Sequence, residues 1–354
     1  MASTSPARHE PLAALLLGLL LVAAFLLYRP GLSGDFQFDD YSNLGPLATL
    51  NDNPTADQLG QFLLQGIASP LGRPMSLLTF ALQAPAWPDD ARSFIHFNLL
   101  LHLLNATLLF WWLRRLARLG DVADSGGTWV ALGATALWLL APLQASSVLY
   151  VVQRMTELSA TFVFLGMGLY LVGREALERG RHTAGLLWMS LGLAAGAGIG
   201  TLAKENAAQM PLMVLALEFT LLARLSRPRA WKLWAVPFLA LPSVALLGYL
   251  CWIGLLGSGY GSRDFTPAER LLTEPRVLFM YLHKMLTPWP SAVRLYYDDF
   301  PASRGLFAPW TTAVALLALG ASVAAAWKLR RVAPLPAFAV LWFLACHVLE
   351  SSAL

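Results

Sequence analysis

Apolar residues lie along this chain in long continuous runs separated by polar segments, without the alternation that marks a half-buried strand. A helix that crosses a bilayer needs about 20 mostly apolar residues. We therefore predict nine membrane-spanning helices and an all-α, polytopic membrane fold. The predicted spans are Leu12–Tyr28, Phe94–Leu113, Trp129–Leu143, Glu157–Val172, Ala184–Leu202, Ala207–Leu222, Trp234–Leu256, Pro309–Trp327 and Leu335–Leu349.

The first run follows a short polar leader and resembles a secretory signal. It is long for such a signal, and Tyr28, Arg29 and Pro30 offer no small-residue cleavage site. We interpret it as an uncleaved first span.

Composition supports a membrane protein. Of 354 residues, 57% are apolar and 13% charged, and the mean hydropathy is +0.56, whereas soluble domains carry about 25% charged residues. The net charge of +4 is typical of basic cytoplasmic loops and does not indicate a nucleic-acid partner. Cys251 and Cys346 lie in apolar runs and form neither a disulfide framework nor a metal-binding spacing.

Basic residues predict the orientation. More than half of the 25 lysines and arginines fall on one side of the predicted spans, in the leader and short loops. They are Arg8, Arg114, Arg115, Arg118, Arg174, Arg179, Arg181, Arg224, Arg227, Arg229, Lys232, Lys328, Arg330 and Arg331. The positive-inside rule then places the N-terminus in the cytoplasm and the C-terminus outside.

This orientation leaves two long outer segments, residues 29–93 and 257–308, in what we expect to be a single transmembrane domain over residues 1–354. Long loops without secondary structure are uncommon unless functional. In the first, Ala56–Ile67 and Pro74–Gln83 are amphipathic and are expected to lie along the membrane surface.

The leading chemical candidate directly follows the first span. Asp35, Asp39 and Asp40 lie within six residues, among aromatic side chains. A partly buried carboxylate gains proton affinity, which suits a general base. The alternative is a solvated loop whose aromatic residues lie in the interfacial belt.

Polar residues within predicted spans form further candidates. Asn98, His102 and Asn105 share one helix face, and we favour interhelical hydrogen bonds over ligand binding for them. Gly192, Gly196 and Gly200 form a small-residue stripe that indicates helix packing.

Charged residues near the outer boundary are candidates for binding phosphate. Arg154 with Glu157, and Lys204 with Glu205, form either structural ion pairs or a phosphate site. His347 and Glu350 mark the outer end of the last predicted span. Ionisable residues this close to hydrocarbon indicate function by default.

Several segments resemble the C-type glycosyltransferases, and more specifically the tetratricopeptide-repeat-containing transmembrane O-mannosyltransferases and their bacterial pilin-glycosylating relatives. The similarity lies in short motifs that occur in the family's order. They are Gly34–Tyr41, Arg73–Leu77, His96–Asn105, Ala141–Gln144, Gln153–Thr156, Lys204–Asn206, Arg270–Thr273, Tyr297–Pro301 and His347–Ser351.

This resemblance implies an inverting transfer of a sugar from a polyprenyl-phosphate donor to an acceptor hydroxyl of a protein or glycan, at the outer face of a bacterial inner membrane. It implies Asp40, or otherwise Asp39, as the base. Arg154, Lys204 or Arg73 would stabilise the departing phosphate. The remaining substrate-binding candidates are His102, Glu205, His347 and Glu350. It demands no metal, although Asp39 and Asp40 leave room for a divalent cation.

The chain departs from the family in three places. Ala141–Pro142 stands where relatives have His-Pro, an acidic residue near Ser146 is lacking, and the chain stops at Leu354, inside the motif region. We therefore expect a truncated C-terminal region without the repeat domain, and the roles of those positions are in doubt.

Two other classes compete with the transferase. A lipid or sugar transporter or flippase favours broken helices and charges near the midplane, whereas the charges here cluster near the outer boundary. If the protein were a membrane scaffold, the segment Gly34–Tyr41, which we call the acidic segment, would have no chemical role. The sequence identifies neither the sugar, nor the lipid length, nor the acceptor.

Overall fold

The computed structural model describes residues 9–50, 54–64, 66–67, 69–120, 124–256, 264–287, 289, 297 and 299–352. Within these ranges the protein is all-α and contains no β-strand. The chain divides into two compact units, Met1–Ala208 and Gln209–Leu354.

The first unit contains ten α-helices among its described residues, and the acidic segment leads into the second of them. They are α1 (His9–Tyr28), α2 (Asp39–Leu44), α3 (Ala56–Leu64), α4 (Pro74–Ala81), α5 (Ala91–Leu119), α6 (Asp124–Leu139), α7 (Gln144–Leu149), α8 (Arg154–Glu178), α9 (His182–Leu193) and α10 (Gly200–Ala203).

The second unit contains the remaining helices. They are α11 (Met210–Phe219), α12 (Arg229–Ala235), α13 (Leu241–Leu256), α14 (Pro267–Leu286), α15 (Thr311–Leu329) and α16 (Pro334–His347).

Six helical segments in the described ranges are long and apolar enough to cross a membrane, so this is a multi-pass membrane protein. They are Glu10–Ser33, Ala91–Leu119, Val151–Glu178, His182–Ala203, Arg229–Ile253 and Thr311–Leu329. The other three predicted spans overlap α6, α11 and α16, which have 16, 10 and 14 residues. These lengths fall short of a full crossing.

Helix α8 packs against α5 on one side and α9 on another. Glycine brings α8 and α9 together: a Cβ added at Gly192 would lie 2.6 Å from the Gly166 carbonyl oxygen. A Cβ added at Gly200 would lie 2.8 Å from the Ala207 Cβ atom and 3.2 Å from the Cβ atom of Phe162 on α8. The structure thus confirms helix packing for these two glycines of the stripe.

The long segment 29–93 is largely helical. The predicted amphipathic stretches correspond to α3 and α4, and Leu64 and Leu82 keep 82% and 76% of their area exposed. Such large exposed apolar side chains in a membrane protein are consistent with contact with the lipid interface.

The segment 257–308 contains helix α14, which the pattern of apolar runs did not predict. A capping box begins it: the Thr266 hydroxyl accepts from the Glu269 amide at 3.2 Å, and the Glu269 carboxylate accepts from the Thr266 amide at 2.8 Å. With Pro267 at the first helical position, this signature was readable in the sequence.

Candidate functional site

The acidic segment is held in place by buried aromatic side chains. Phe36 is buried, with its ring centroid 4.6 Å from that of Trp87 and 5.3 Å from that of Phe94. The next residue but one, Phe38, has a φ of 34°, a conformation that costs free energy for a bulky residue. This sharp turn directs the chain into α2, which begins at Asp39.

Asp40 lies inside the protein. Its side chain has no exposed area. One carboxylate oxygen accepts from the Gln37 amide at 2.8 Å, and the other accepts from the Val152 amide at 2.7 Å. The carboxylate therefore joins the acidic segment to the start of α8, which is distant in sequence.

Burial raises the pKa of Asp40 to about 6, because an ionised carboxylate is costly to desolvate. The two amide hydrogen bonds and the charge of Arg154 oppose this rise, whereas the charge of Asp39 adds to it.

Asp39 is oriented differently from Asp40 although the two are adjacent. Its residue is exposed, and its backbone amide donates to the Tyr150 hydroxyl at 2.8 Å. Phe38 and Tyr41 flank it with 58% and 56% of their areas exposed. The carboxylate available to another molecule is thus that of Asp39, with aromatic rings beside it.

The segment from Tyr150 to Thr156, which we call the hub, connects the acidic residues to a group of cations. Tyr150 and Val152 contact Asp39 and Asp40 as described. Farther along, the Met155 sulfur accepts from Arg73 at 3.3 Å. The Thr156 hydroxyl accepts from the Lys204 ammonium at 3.0 Å.

Arg73 forms a two-pronged ion pair with Glu205. Its Nε and Nη2 atoms lie 3.1 and 2.9 Å from the Glu205 Oε2 atom, and both side chains are about one-fifth exposed. Burial alone would raise the pKa of Glu205, but hydrogen bonds from Arg73 and Ser69 outweigh it, and the pKa falls below its usual value. Arg73 itself has a φ of 55° just before Pro74, a strained conformation.

Lys204 and Glu205, predicted as a pair, contact different partners. The Thr156 hydroxyl that receives Lys204 donates in turn to the Gln153 side chain at 2.8 Å. The half-buried Lys204 and Arg73 therefore reach the hub from separate segments of the first unit.

Arg154 and Glu157 also do not pair with each other. Arg154 is fully buried, and its three nitrogens donate to Asn98 Oδ1, the Thr79 carbonyl and the Phe94 carbonyl at 2.9–3.1 Å. Its guanidinium carbon lies 4.3 Å from the Phe80 ring centroid. Every nitrogen therefore already has a protein partner, which favours a structural role. A part for Arg154 in phosphate binding stays a prediction.

The predicted polar face of α5 makes interhelical hydrogen bonds, as we favoured. Asn98 donates to the Tyr150 and Val151 carbonyls, both at 3.2 Å, and Asn105 donates to the Glu157 carboxylate at 2.7 Å. The fully buried His102 lies 3.2 Å from that carboxylate through Nδ1.

His347 and Glu350 belong to the second unit, beside α14. The His347 ring contacts the rings of Tyr281 and Phe343, with centroids 6.0 and 4.3 Å away. The Glu350 carbonyl accepts from Arg270 at 3.1 Å. Their part in substrate binding stays a prediction.

Sequence reasoning missed Tyr150 and Thr156, although both lie in or beside quoted motifs, since their types carry no chemical signal alone. Within the described residues, no group of three or more His, Cys, Asp or Glu side chains could hold a metal ion. A cation at Asp39 and Asp40 stays a prediction.

Comparisons with models of protein families, with curated proteins and with solved structures found no match to this chain.

Proposed function

We propose that this protein is a membrane glycosyltransferase. It moves a sugar, with inversion, from a polyprenyl-phosphate donor to an acceptor hydroxyl of a protein or glycan at the outer membrane face. The observation that carries the proposal is the exposed residue Asp39. Its backbone amide donates to Tyr150 of the hub, and Arg73 and Lys204 contact the same hub. A base and cations are the groups that this reaction needs.

The base assigned here is Asp39 and not Asp40. A general base must come within hydrogen-bond distance of the proton that it removes. Asp40 has no exposed area, and both its oxygens accept backbone amides. Asp40 is therefore a positioning residue that fixes the turn on which Asp39 is presented.

The proposed reaction balances without a further reagent. The acceptor oxygen attacks the anomeric carbon and its proton passes to Asp39. The bond from that carbon to the phosphate oxygen breaks, and the lipid phosphate leaves with the electron pair. Arg73 and Lys204 are the described cations at the hub that would stabilise the added negative charge.

The aromatic residues beside Asp39 support a sugar as the transferred group. Exposed rings at Phe38 and Tyr41 offer apolar faces that suit the C–H face of a pyranose. Their position next to the carboxylate would hold the anomeric carbon near the base.

The test compares Asp39→Asn with Asp35→Asn, which changes another exposed aspartate of the same segment. Purified protein is assayed with a polyprenyl-phosphate hexose and scored by the mass of the acceptor. Asp39→Asn should lower turnover about 10²- to 10⁴-fold, the typical contribution of a positioned base, and Asp35→Asn should change it little.

Thermal unfolding establishes that both variants are folded. A folded Asp39→Asn protein with wild-type turnover would exclude Asp39 as the base. Identical masses of exported proteins and surface glycans in cells with and without the gene would overturn glycosyl transfer itself and favour the transporter.

A further inference from the structure

Helix α5 carries a second site at the end opposite to the hub. Asn98 contacts the hub, and Arg114 lies 16 residues farther along the same helix. At 1.5 Å per residue this is about 24 Å, close to the thickness of the hydrocarbon layer. The last turns of α5 therefore lie at the other membrane face.

These last turns line a cavity of about 210 Å³. Its lining residues lie on one face of α5: Thr107, Phe110, Trp111, Arg114, Arg115 and Arg118. Apolar rings line the part nearer the membrane centre, and three arginines line the part nearer the surface. This is the order in which a phospholipid presents its acyl chain and its headgroup.

The rings and guanidinium groups are held together. The Arg114 guanidinium lies 5.5 Å from the Phe110 ring centroid, and that of Arg115 lies 5.2 Å from the Trp111 ring centroid. Gly168 on α8 makes room for the indole, because a Cβ there would overlap the Trp111 ring.

The charges leave a net positive site. One Glu10 oxygen accepts from Arg114 at 2.7 Å and from Arg118 at 3.2 Å, so two cations share one carboxylate. Arg115 pairs with Glu175 at 3.0 Å, and the same Glu175 oxygen lies 3.8 Å from Arg179 outside the cavity lining. The Nε atoms of Arg114 and Arg115 are buried and have no hydrogen-bond partner among the described residues.

We propose that this cavity binds the headgroup of an anionic phospholipid, with the phosphodiester at Arg114 and Arg118 and the first part of an acyl chain against Phe110 and Trp111. A phosphodiester carries one negative charge and matches the one cation that Glu10 leaves uncompensated. The site is independent of glycosyl transfer.

The test uses native mass spectrometry of the detergent-purified protein with added phosphatidylglycerol or phosphatidylcholine. We expect one phosphatidylglycerol to be retained in clear preference to phosphatidylcholine. Arg114→Gln with Arg118→Gln should remove that preference, since each basic residue near a lipid surface contributes roughly fivefold to binding. Equal retention of the two lipids by the wild type would overturn the proposal.

The double variant Arg114→Gln with Arg118→Gln is chosen because it should not disturb the fold. It leaves only Glu10 unpaired, and that side chain is 60% exposed. Replacing Arg115 would instead leave Glu175, which is 14% exposed, with the longer 3.8 Å contact to Arg179. Arg179→Gln is the matched control. Arg179 is 68% exposed and lies outside the cavity lining, and its removal leaves the shorter Arg115–Glu175 pair in place. This variant should retain phosphatidylglycerol like the wild type.

Two further measurements separate the explanations. Thermal unfolding checks that the double variant is folded, and Arg118→Gln alone replaces it if it is not. Millimolar inorganic phosphate should not displace the lipid if the rings contribute. Displacement would indicate a site for free phosphate, and retention of phosphatidylglycerol by the folded variant would contradict any role for these arginines.

Discussion

The neighbouring aspartates Asp39 and Asp40 differ in burial: Asp39 is exposed, whereas Asp40 is fully buried. The pKa of Asp40 in the folded protein is raised to about 6, so the folded state binds this proton more tightly than the unfolded chain. Its protonated form therefore contributes stability that is fully present below about pH 4 and is lost as the pH rises through about 6.

We expect the thermal stability of the wild type to fall between pH 4 and 6, by up to about 3 kcal/mol for two pKa units. Asp40→Asn should lose this dependence. Asp39→Asn should keep most of it, because burial is the largest cause of the raised pKa and the charge of Asp39 a smaller one. Unfolding curves at stepped pH measure both. Equal pH dependence in the wild type and Asp40→Asn would show that another group titrates.

Arg154 is the residue whose removal should harm the fold most directly. Arg154→Met removes the hydrogen-bond donor of three oxygens, namely Asn98 Oδ1 and the carbonyl oxygens of Thr79 and Phe94. Each buried unpaired group costs about 1–3 kcal/mol, so the loss should reach about 3 kcal/mol or more. Arg92→Met, at an exposed arginine of α5, should stay within about 0.5 kcal/mol. Thermal unfolding of the two purified variants decides, and similar stabilities would contradict a structural role.

At the scale of helices, backbone proximity of α8 and α9 depends on glycine. Gly192→Ala would place a methyl group 2.6 Å from the Gly166 carbonyl oxygen, so the helices must separate and stability should fall. Gly320→Ala in α15 meets nothing within 4 Å, and helix propensity should stabilise it by up to about 1 kcal/mol. The same direction of change in both variants, measured by thermal unfolding, would mean that close approach does not hold this pair together.

Helix lengths show where apolar runs mislead. The predicted span Ala207–Leu222 is mostly apolar, with Gln209, Glu218 and Thr220 inside it, yet α11 covers only Met210–Phe219. Lys204 is extended, and a 3-10 helix over Glu205–Gln209 connects it to α11. Thr220 leaves helical geometry after α11, with φ −120° and ψ −90°. A run of apolar residues is found both in segments that contact lipid and in segments buried inside the protein. Such a run therefore predicts that the segment is shielded from water, but it does not predict the length of the helix.

For the whole molecule, the orientation in the membrane is the prediction with the widest consequences. A reporter active only outside the cytoplasm should work when fused after Ala91 and fail when fused after Leu119, because Arg114, Arg115 and Arg118 end α5. The reverse pattern of reporter activity would place Asp39 at the cytoplasmic face and would contradict the proposed sugar transfer at the outer face.

The sequence by itself determined the membrane class, the helical composition and the shared face of Asn98, His102 and Asn105, because these follow from composition and helical period. It also brought attention to Asp39 and Asp40 through local carboxylate density. Which of them is accessible was decided only by tertiary structure. Two adjacent aspartates have the same sequence neighbourhood, so the sequence does not tell them apart. The Val152 amide that donates to the buried Asp40 carboxylate lies 112 residues away along the chain.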